Sequence, residues 1–377
     1  MTRDRTQGPP RRPLRLRLVV GQVALLLVVG LVLAWFAANV AENLARRNMA
    51  VDFHFLAQPA GFDIPFRILP WINTDTYARA LLVSFANTLL VSSMAIVAAT
   101  LLGLALALMR LSGNPLARWV SRGAMELIRN TPQLTQIVFW YIAVLQALPQ
   151  ARNSLRPFDG WFLNVRGLFM PAPDPGPLTN WLLGGALLLL VLAPRLRHAF
   201  TARGVPVGLA YVPALALLAA TWFSVAAWEN PELRGFNFRG GWRIPPELLA
   251  LWLGLFVYGA GFIAENIREA ILGVHPGQAE AARSLGLSPW RTMSLVVLPQ
   301  AVRAVIPPLT SQYLNIIKSS SLGAAIAYPE VVQIFARTVL NQSGRAIEVM
   351  TIVLGVFLAV NLLVSFILNA WNARRHA

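Results

Sequence analysis

The chain has 377 residues, of which 56% are hydrophobic and only 13% charged, against ~25% charged in an ordinary soluble domain. With a mean hydropathy of +0.57, this composition excludes a soluble surface, and at ~20 apolar residues per span it allows about eight spans. The +16 charge comes from 32 basic and 16 acidic residues with no compact basic domain or nucleic-acid motif, so nucleic acid is excluded as a partner; the absence of cysteine excludes disulfides and thiolate chemistry.

The first apolar run, 18–40, follows a stretch from Arg3 to Arg17 that holds six arginines. It is longer than a signal-peptide core and no small-x-small cleavage site precedes Asn39, so it reads as an uncleaved first span with a cytoplasmic basic end. Further apolar runs predict spans at 80–109, 124–149, 181–193, 207–228, 248–272, 303–327 and 347–371. The expected division is 1–79 (basic end, first span and outer loop), 80–371 (membrane domain) and a 372–377 tail. An insert at 150–247, punctuated by Pro171, Pro173, Pro175 and Pro177, is expected to carry one helical hairpin. Alternation from an inside N-terminus places 17 basic residues inside and 12 in longer outside segments. Both termini are therefore expected in the cytoplasm. The predicted fold is an all-α, multi-pass membrane protein of about eight transmembrane helices.

On the arginine-bearing side, 277–299 reads GQAEAARSLGLSPWRTMSLVVLP. Glu280 to Leu285 is a run of helix formers, and Gly286 supplies a C-terminal stop. Ser288-Pro289 offers an N-cap with proline at the first helical position. Two short helices with a bend are predicted. Their small residues Ala279, Ala281 and Ala282 would let a partner's backbone approach.

Glu280-Ala281-Ala282, Gly286 and Val296-Val297-Leu298-Pro299 resemble the EAA loop of permease subunits in ATP-binding-cassette importers, with Val296 where isoleucine is usual. Further matches narrow the resemblance to polar amino-acid permeases. Glu126, Arg129, Thr131 and Pro132 with Gln136 downstream resemble the E-x-x-R-G-T-P…Q signature, Asn130 standing in place of its glycine. Ala264-Glu265, Arg268, Gly277-Gln278 and Pro299-Gln300-Ala301 fit the same group, as does Lys318-Ser-Ser-Ser321-Leu322 followed by Glu330. The resemblance covers about residues 80 to 371. The insert and the long N-terminal part are similar to the longer permease subunits of general L-amino-acid and glutamate/glutamine/aspartate/asparagine importers.

This resemblance implies a type I permease core of five helices, extended by an N-terminal span and the inserted hairpin, in the bacterial cytoplasmic (inner) membrane. It implies coupling through Glu280, Ala281, Ala282, Gly286, Ser288, Pro289 and Trp290 to a dimer of ATPase subunits. A second, related permease subunit, a periplasmic amino-acid-binding protein and an L-amino-acid substrate are the other implied partners. The chain itself needs no cofactor, because ATP is bound by a partner subunit.

Charges inside a bilayer cost ~2.5–3.5 kcal/mol each on insertion scales and require a reason. Ser311, Asn315, Lys318 and Ser319 share one face of an apolar helix. One reading makes this stripe the translocation path, with Lys318 drawing a substrate carboxylate or anchoring Glu330. The other makes it a hydrogen-bonded helix seam with Lys318 snorkelling outward. Ser320 and Ser321 also suit an opened helix whose freed amides bind a carboxylate. Arg129, Gln133, Gln136 and Trp140 form a second stripe; Gln136 is the better path candidate, while Arg129 equally suits a structural pair with Glu126. Asn87 and Thr88 are further candidates. Glu265, Arg268 and Glu269 read as a partly screened charge cluster near the coupling loop.

No G-x-x-x-x-G-K-S/T loop is present. The four histidines stand apart without metal-ligand spacing, and no Ser-His-Asp setting appears. The chain is not read as an enzyme. The competing readings are an ion-coupled secondary transporter of small polar solutes, which leaves the EAA spacing unexplained, and a membrane scaffold.

Overall fold

The computed structural model describes residues 16–46, 51–174, 177–201, 211–223, 225 and 227–376. The arginine stretch before Leu16, Pro175 and part of one predicted inside loop lie outside the described residues. Two compact units, 1–55 and 56–377, are distinguished. The first holds α1 (Leu16–Arg46), a proline-free Leu/Val/Ala run closed by an i,i+4 pair between Arg46 and Glu42 at 2.6 Å.

The second unit opens with α2 (Tyr77–Leu111), whose N-cap Thr76 accepts the Arg79 amide. At α3 (Pro115–Asn130) the Asn114 side chain caps the amides of Leu116 and Ala117, and proline fills the first helical position. The Ser121 hydroxyl donates to Leu106 O at 2.7 Å, which turns α3 back along α2. After a break at Thr131-Pro132, α4 (Gln133–Val138) continues as a π-helical stretch, Phe139–Leu145.

The insert contains β1 (Phe162–Asn164), β2 (Gly167–Met170), β3 (Ala172–Asp174), α5 (Pro177–Thr201), α6 (Val212–Phe223), β4 (Ala227–Glu229), β5 (Glu232–Arg234), β6 (Asn237–Arg239) and β7 (Trp242–Ile244). All pairings are antiparallel: β1–β2–β7 form one sheet, β3 pairs β4 beside the α5–α6 hairpin, and β5 pairs β6. Phe162, Phe169 and Phe238 make its small core.

The chain returns through α7 (Pro246–Leu272), α8 (Pro276–Ser284) and α9 (Pro289–Thr292). A π-turn, Met293–Val297, leads into α10 (Leu298–Ser319), which tightens to a 3-10 helix over Ser320–Ile326. A π-helical stretch, Val332–Val339, then α11 (Leu340–Ser343) and α12 (Ala346–His376) complete the unit.

Helix α7 is the hub, packed against α2, α3, α4 and α10. Glycine permits the approach: a Cβ on Gly254 would meet Ile137 Cγ1 at 2.4 Å, and one on Gly261 would meet Ile128 Cγ2 at 2.8 Å. Val91, Ile137, Leu251, Leu255, Ile263 and Ile316 form the core around it.

Among the described residues, Tyr77–Leu111, Pro246–Leu272, Pro289–Ile326 and Ala346–Ile367 are long and apolar enough to cross a bilayer. Val20–Phe36, Gln133–Leu145, Leu178–Leu189 and Val212–Thr221 are shorter apolar helices. Together they fall on the eight predicted runs. Three expectations need correction. The 124–149 run is two helices, because Pro132 cannot continue α3. The helix expected from 303 already runs from Pro289. The 207–228 run stops at Phe223, and among the described residues the insert adds seven short strands to its hairpin, because strands of three or four residues carry too little alternation to be read.

Candidate functional site

Two features stand out on this frame: the α8–α9 loop and a polar groove along α3, α4, α7 and α10. The loop folds as its residues dictate. Gly286 sits at φ +81, its amide donates to Arg283 O at 2.9 Å, and the Leu287 amide donates to Ala282 O at 3.2 Å. This paired closure is a Schellman motif. Ser288 then caps α9, its Oγ accepting the Arg291 amide at 3.4 Å, with Pro289 in the first turn. Glu280 and Ala281 are exposed, whereas Ala282 is buried. Of the three small residues expected to let a partner approach, Ala282 is the one packed on its own chain. Leu285 and Trp290 are 83% and 78% exposed, an apolar pair on an otherwise polar loop.

The groove consists of three clefts that share lining residues. The first, of about 160 Å³, is lined by Arg110, Arg122, Met125, Glu126, Arg129 and Glu265. Glu126 and Arg129 also line a second, about 300 Å³, with Asn130 and Phe262. Phe262 continues into a third, about 220 Å³, with Gln133, Tyr258, Gln312, Asn315, Lys318 and Ser319 among its walls. No carboxylate lines this third cleft, and Lys318 is exposed to it without an ion-pair partner among the described residues.

Charges in the first cleft are paired differently from expectation. Glu126 binds Arg122 at 2.7 Å, not Arg129, and this hydrogen bond raises the Arg122 pKa above its usual value. Arg129 instead lies 3.8 Å from Glu265 and 5.4 Å from the centre of the Phe262 ring. Arg268 also bonds Glu265, its Nε at 3.2 Å, so the cluster joins α7 to α3 rather than standing on one helix.

The other candidates make hydrogen bonds or packing contacts within the chain. Gln136 is buried and its Nε2 donates to Ile128 O at 2.8 Å and Thr131 O at 3.1 Å, closing the carbonyl end of α3 across the proline break. Thr131 donates back to Leu127 O at 2.8 Å. Trp140 packs against the α7 core instead of ending a polar stripe. The hydroxyls of Ser320 and Ser321 donate to Ile317 O and Lys318 O at 2.6 and 2.7 Å. The helix there tightens rather than opens, so no amides are freed. Buried Asn87 donates to Phe66 O and Pro329 O, both at 2.9 Å, and Thr88 accepts the Val331 amide. Glu330 is fully buried and takes the amides of Val332 and Gln333 at 2.8 and 2.7 Å. It caps a helical stretch and does not meet Lys318. Tyr258, Phe262 and Gln312 were not singled out from the sequence, since only helix packing brings them to Lys318 and Arg129.

Residues 99–377 match the family described as binding-protein-dependent transport system inner membrane component. The chain belongs to this family. It is similar to YhdX of Escherichia coli (strain K12), named as an amino-acid ABC transporter permease, with 44% identity over 93% of this chain and 92% of that one. It is 41% identical to AapQ of Rhizobium johnstonii, a general L-amino acid transport system permease, over 93% and 90% of the two chains. It is 32% identical to BztB of Rhodobacter capsulatus, a glutamate/glutamine/aspartate/asparagine transport system permease, over 95% and 93%. The resemblance read from the EAA spacing is therefore sound. Of the residues singled out from the sequence, the chain brings Gln133, Asn315 and Lys318 to one cleft and Arg129 to the neighbouring one, with Phe262 shared between them, while Gln136, Asn87, Ser320 and Glu330 are buried.

Proposed function

We propose that the chain is the translocation subunit of an ATP-driven importer of L-amino acids. The observation that carries this is the groove, whose three clefts are joined by Glu126, Arg129 and Phe262. At one end Lys318 offers a cation with no competing carboxylate, beside the amides of Gln133, Gln312 and Asn315. Lys318 takes the substrate carboxylate there, and the amides hold its polar groups. The mixed charges at the other end release a zwitterion towards the cytoplasm.

ATP is hydrolysed by a separate chain that docks on Glu280 to Trp290, where Leu285 and Trp290 offer apolar contact. The nucleotide-driven motion of that chain passes through α8–α9 into the continuous helix Pro289–Ile326 and shifts the population between outward- and inward-open states. A second, related permease subunit completes the path, and a periplasmic amino-acid-binding protein delivers the substrate. The membrane is the bacterial inner membrane, with both termini cytoplasmic; no cofactor resides in this chain.

Uptake of labelled L-amino acids into proteoliposomes tests the reading. The full complex with sealed ATP should accumulate substrate, and the chain alone with an ion gradient should not. Accumulation by the chain alone would replace this proposal with ion-coupled transport.

A further inference from the structure

We propose that His275 is a positioning residue for the α8–α9 coupling loop and makes the loop's order depend on cytoplasmic-side pH; this rests on the proposed coupling role of that loop. The first turn of α8 has few ways to satisfy its donors. Pro276 has no amide hydrogen. The Gln278 amide donates to His275 O at 2.9 Å, and the Gly277 amide donates to His275 Nδ1 at 3.1 Å. One residue therefore closes the whole turn, with its imidazole in the N-cap role that Ser, Thr, Asp or Asn usually fills.

Gly277 makes room for this ring. A Cβ at that position would lie 3.1 Å from Nδ1 and 3.3 Å from Cε1, so a side chain there presses the ring back by a few tenths of an ångström. The ring is exposed, and solvent protons reach it. Capping needs an unprotonated Nδ1. The imidazolium has two donors and no acceptor, and its charge would stand beside the positive end of the helix dipole. Acid therefore loosens α8. The charged groups nearest along the chain are Arg268 and Glu269 near the C-terminal end of α7, Glu280 and Arg283 on α8, and Arg291 on α9. The Met293–Val297 turn packed on α8 carries no titratable side chain. Among the described residues none of these groups forms an ion pair with the ring, so nothing there offsets the lost cap.

The test uses the assembled importer in proteoliposomes with ATP sealed inside and the lumen buffered at a series of values from about pH 8 to about pH 5.5. His275→Asn keeps an acceptor that does not titrate. The wild-type to His275→Asn uptake ratio should be near one at the alkaline end and fall about fivefold at the acid end, the size of a lost N-cap. Dividing by the variant cancels any pH dependence of the ATPase chain. His275→Ala should lower uptake at the alkaline end, to about the level that the wild type reaches in acid, and speed amide exchange across 276–284; Gly277→Ala should do the same more weakly. A flat ratio, or His275→Ala behaving as wild type at the alkaline end, overturns the proposal. Gly286→Asp, run beside them, separates the two claims: loss of uptake there with a flat ratio sinks the role of His275 alone, and retained uptake there sinks the coupling role and this inference with it.

Discussion

At the scale of single residues, Lys318 and Asn87 are both polar groups in apolar helices, yet the structure gives them opposite settings. Lys318 faces a cleft with no carboxylate in its walls, so its charge is available to a ligand. Lys318→Met should lower uptake by more than about tenfold, the loss of one charge-assisted hydrogen bond, while the complex still assembles; measured uptake per assembled complex decides this, and Lys318→Arg should recover part of it. Asn87 is buried against Phe66 O and Pro329 O. Asn87→Ala strands both carbonyls and should destabilise the protein by about 1–3 kcal/mol, read as a lower melting temperature in detergent, with substrate preference unchanged. A changed preference would return Asn87 to the path. The two residues look alike in sequence because burial and partner geometry depend on turns folded from distant segments.

At the scale of elements, the α8–α9 loop was legible almost residue by residue, because glycine stops, serine caps and first-turn prolines act locally. Gly286 shows how specific this is. Its φ of +81 is hard for other residues, but no atom lies within 4 Å of where a Cβ would stand. Within the chain, conformation sets the cost, ~1–2 kcal/mol for an ordinary side chain, and aspartate adds to this a negative charge on the surface where the ATPase chain is proposed to dock. Gly286→Asn should therefore be milder than Gly286→Val in an uptake assay, and equal effects would mean that bulk matters. The groove was only half legible. Polar periodicity marked Lys318, Asn315, Gln133 and Arg129, but it also marked Gln136, which is spent on closing α3. Phe262 and Tyr258 carry no polar signal and enter the groove because glycines such as Gly254 and Gly261 let α7 approach its neighbours. The strands of the insert escaped notice because three or four residues are too few to show a period.

At the scale of the whole molecule, a chain that is 56% hydrophobic divides its labour with other proteins. Leu285 and Trp290 are exposed on the loop where the ATPase chain is proposed to dock. The chain contains no cysteine, so Trp290→Cys introduces a unique thiol. It should crosslink to the ATPase subunit in native membranes, and crosslinking to lipid-facing probes alone would count against docking there. Purification of the intact complex should yield this chain with two ATPase copies and a related permease.

The most direct measurement is ATP-driven amino-acid uptake by reconstituted complexes carrying wild-type chain or Gly286→Asp. The account predicts that both assemble, that the wild type accumulates substrate, and that Gly286→Asp does not. Undiminished uptake by the assembled Gly286→Asp complex would contradict it.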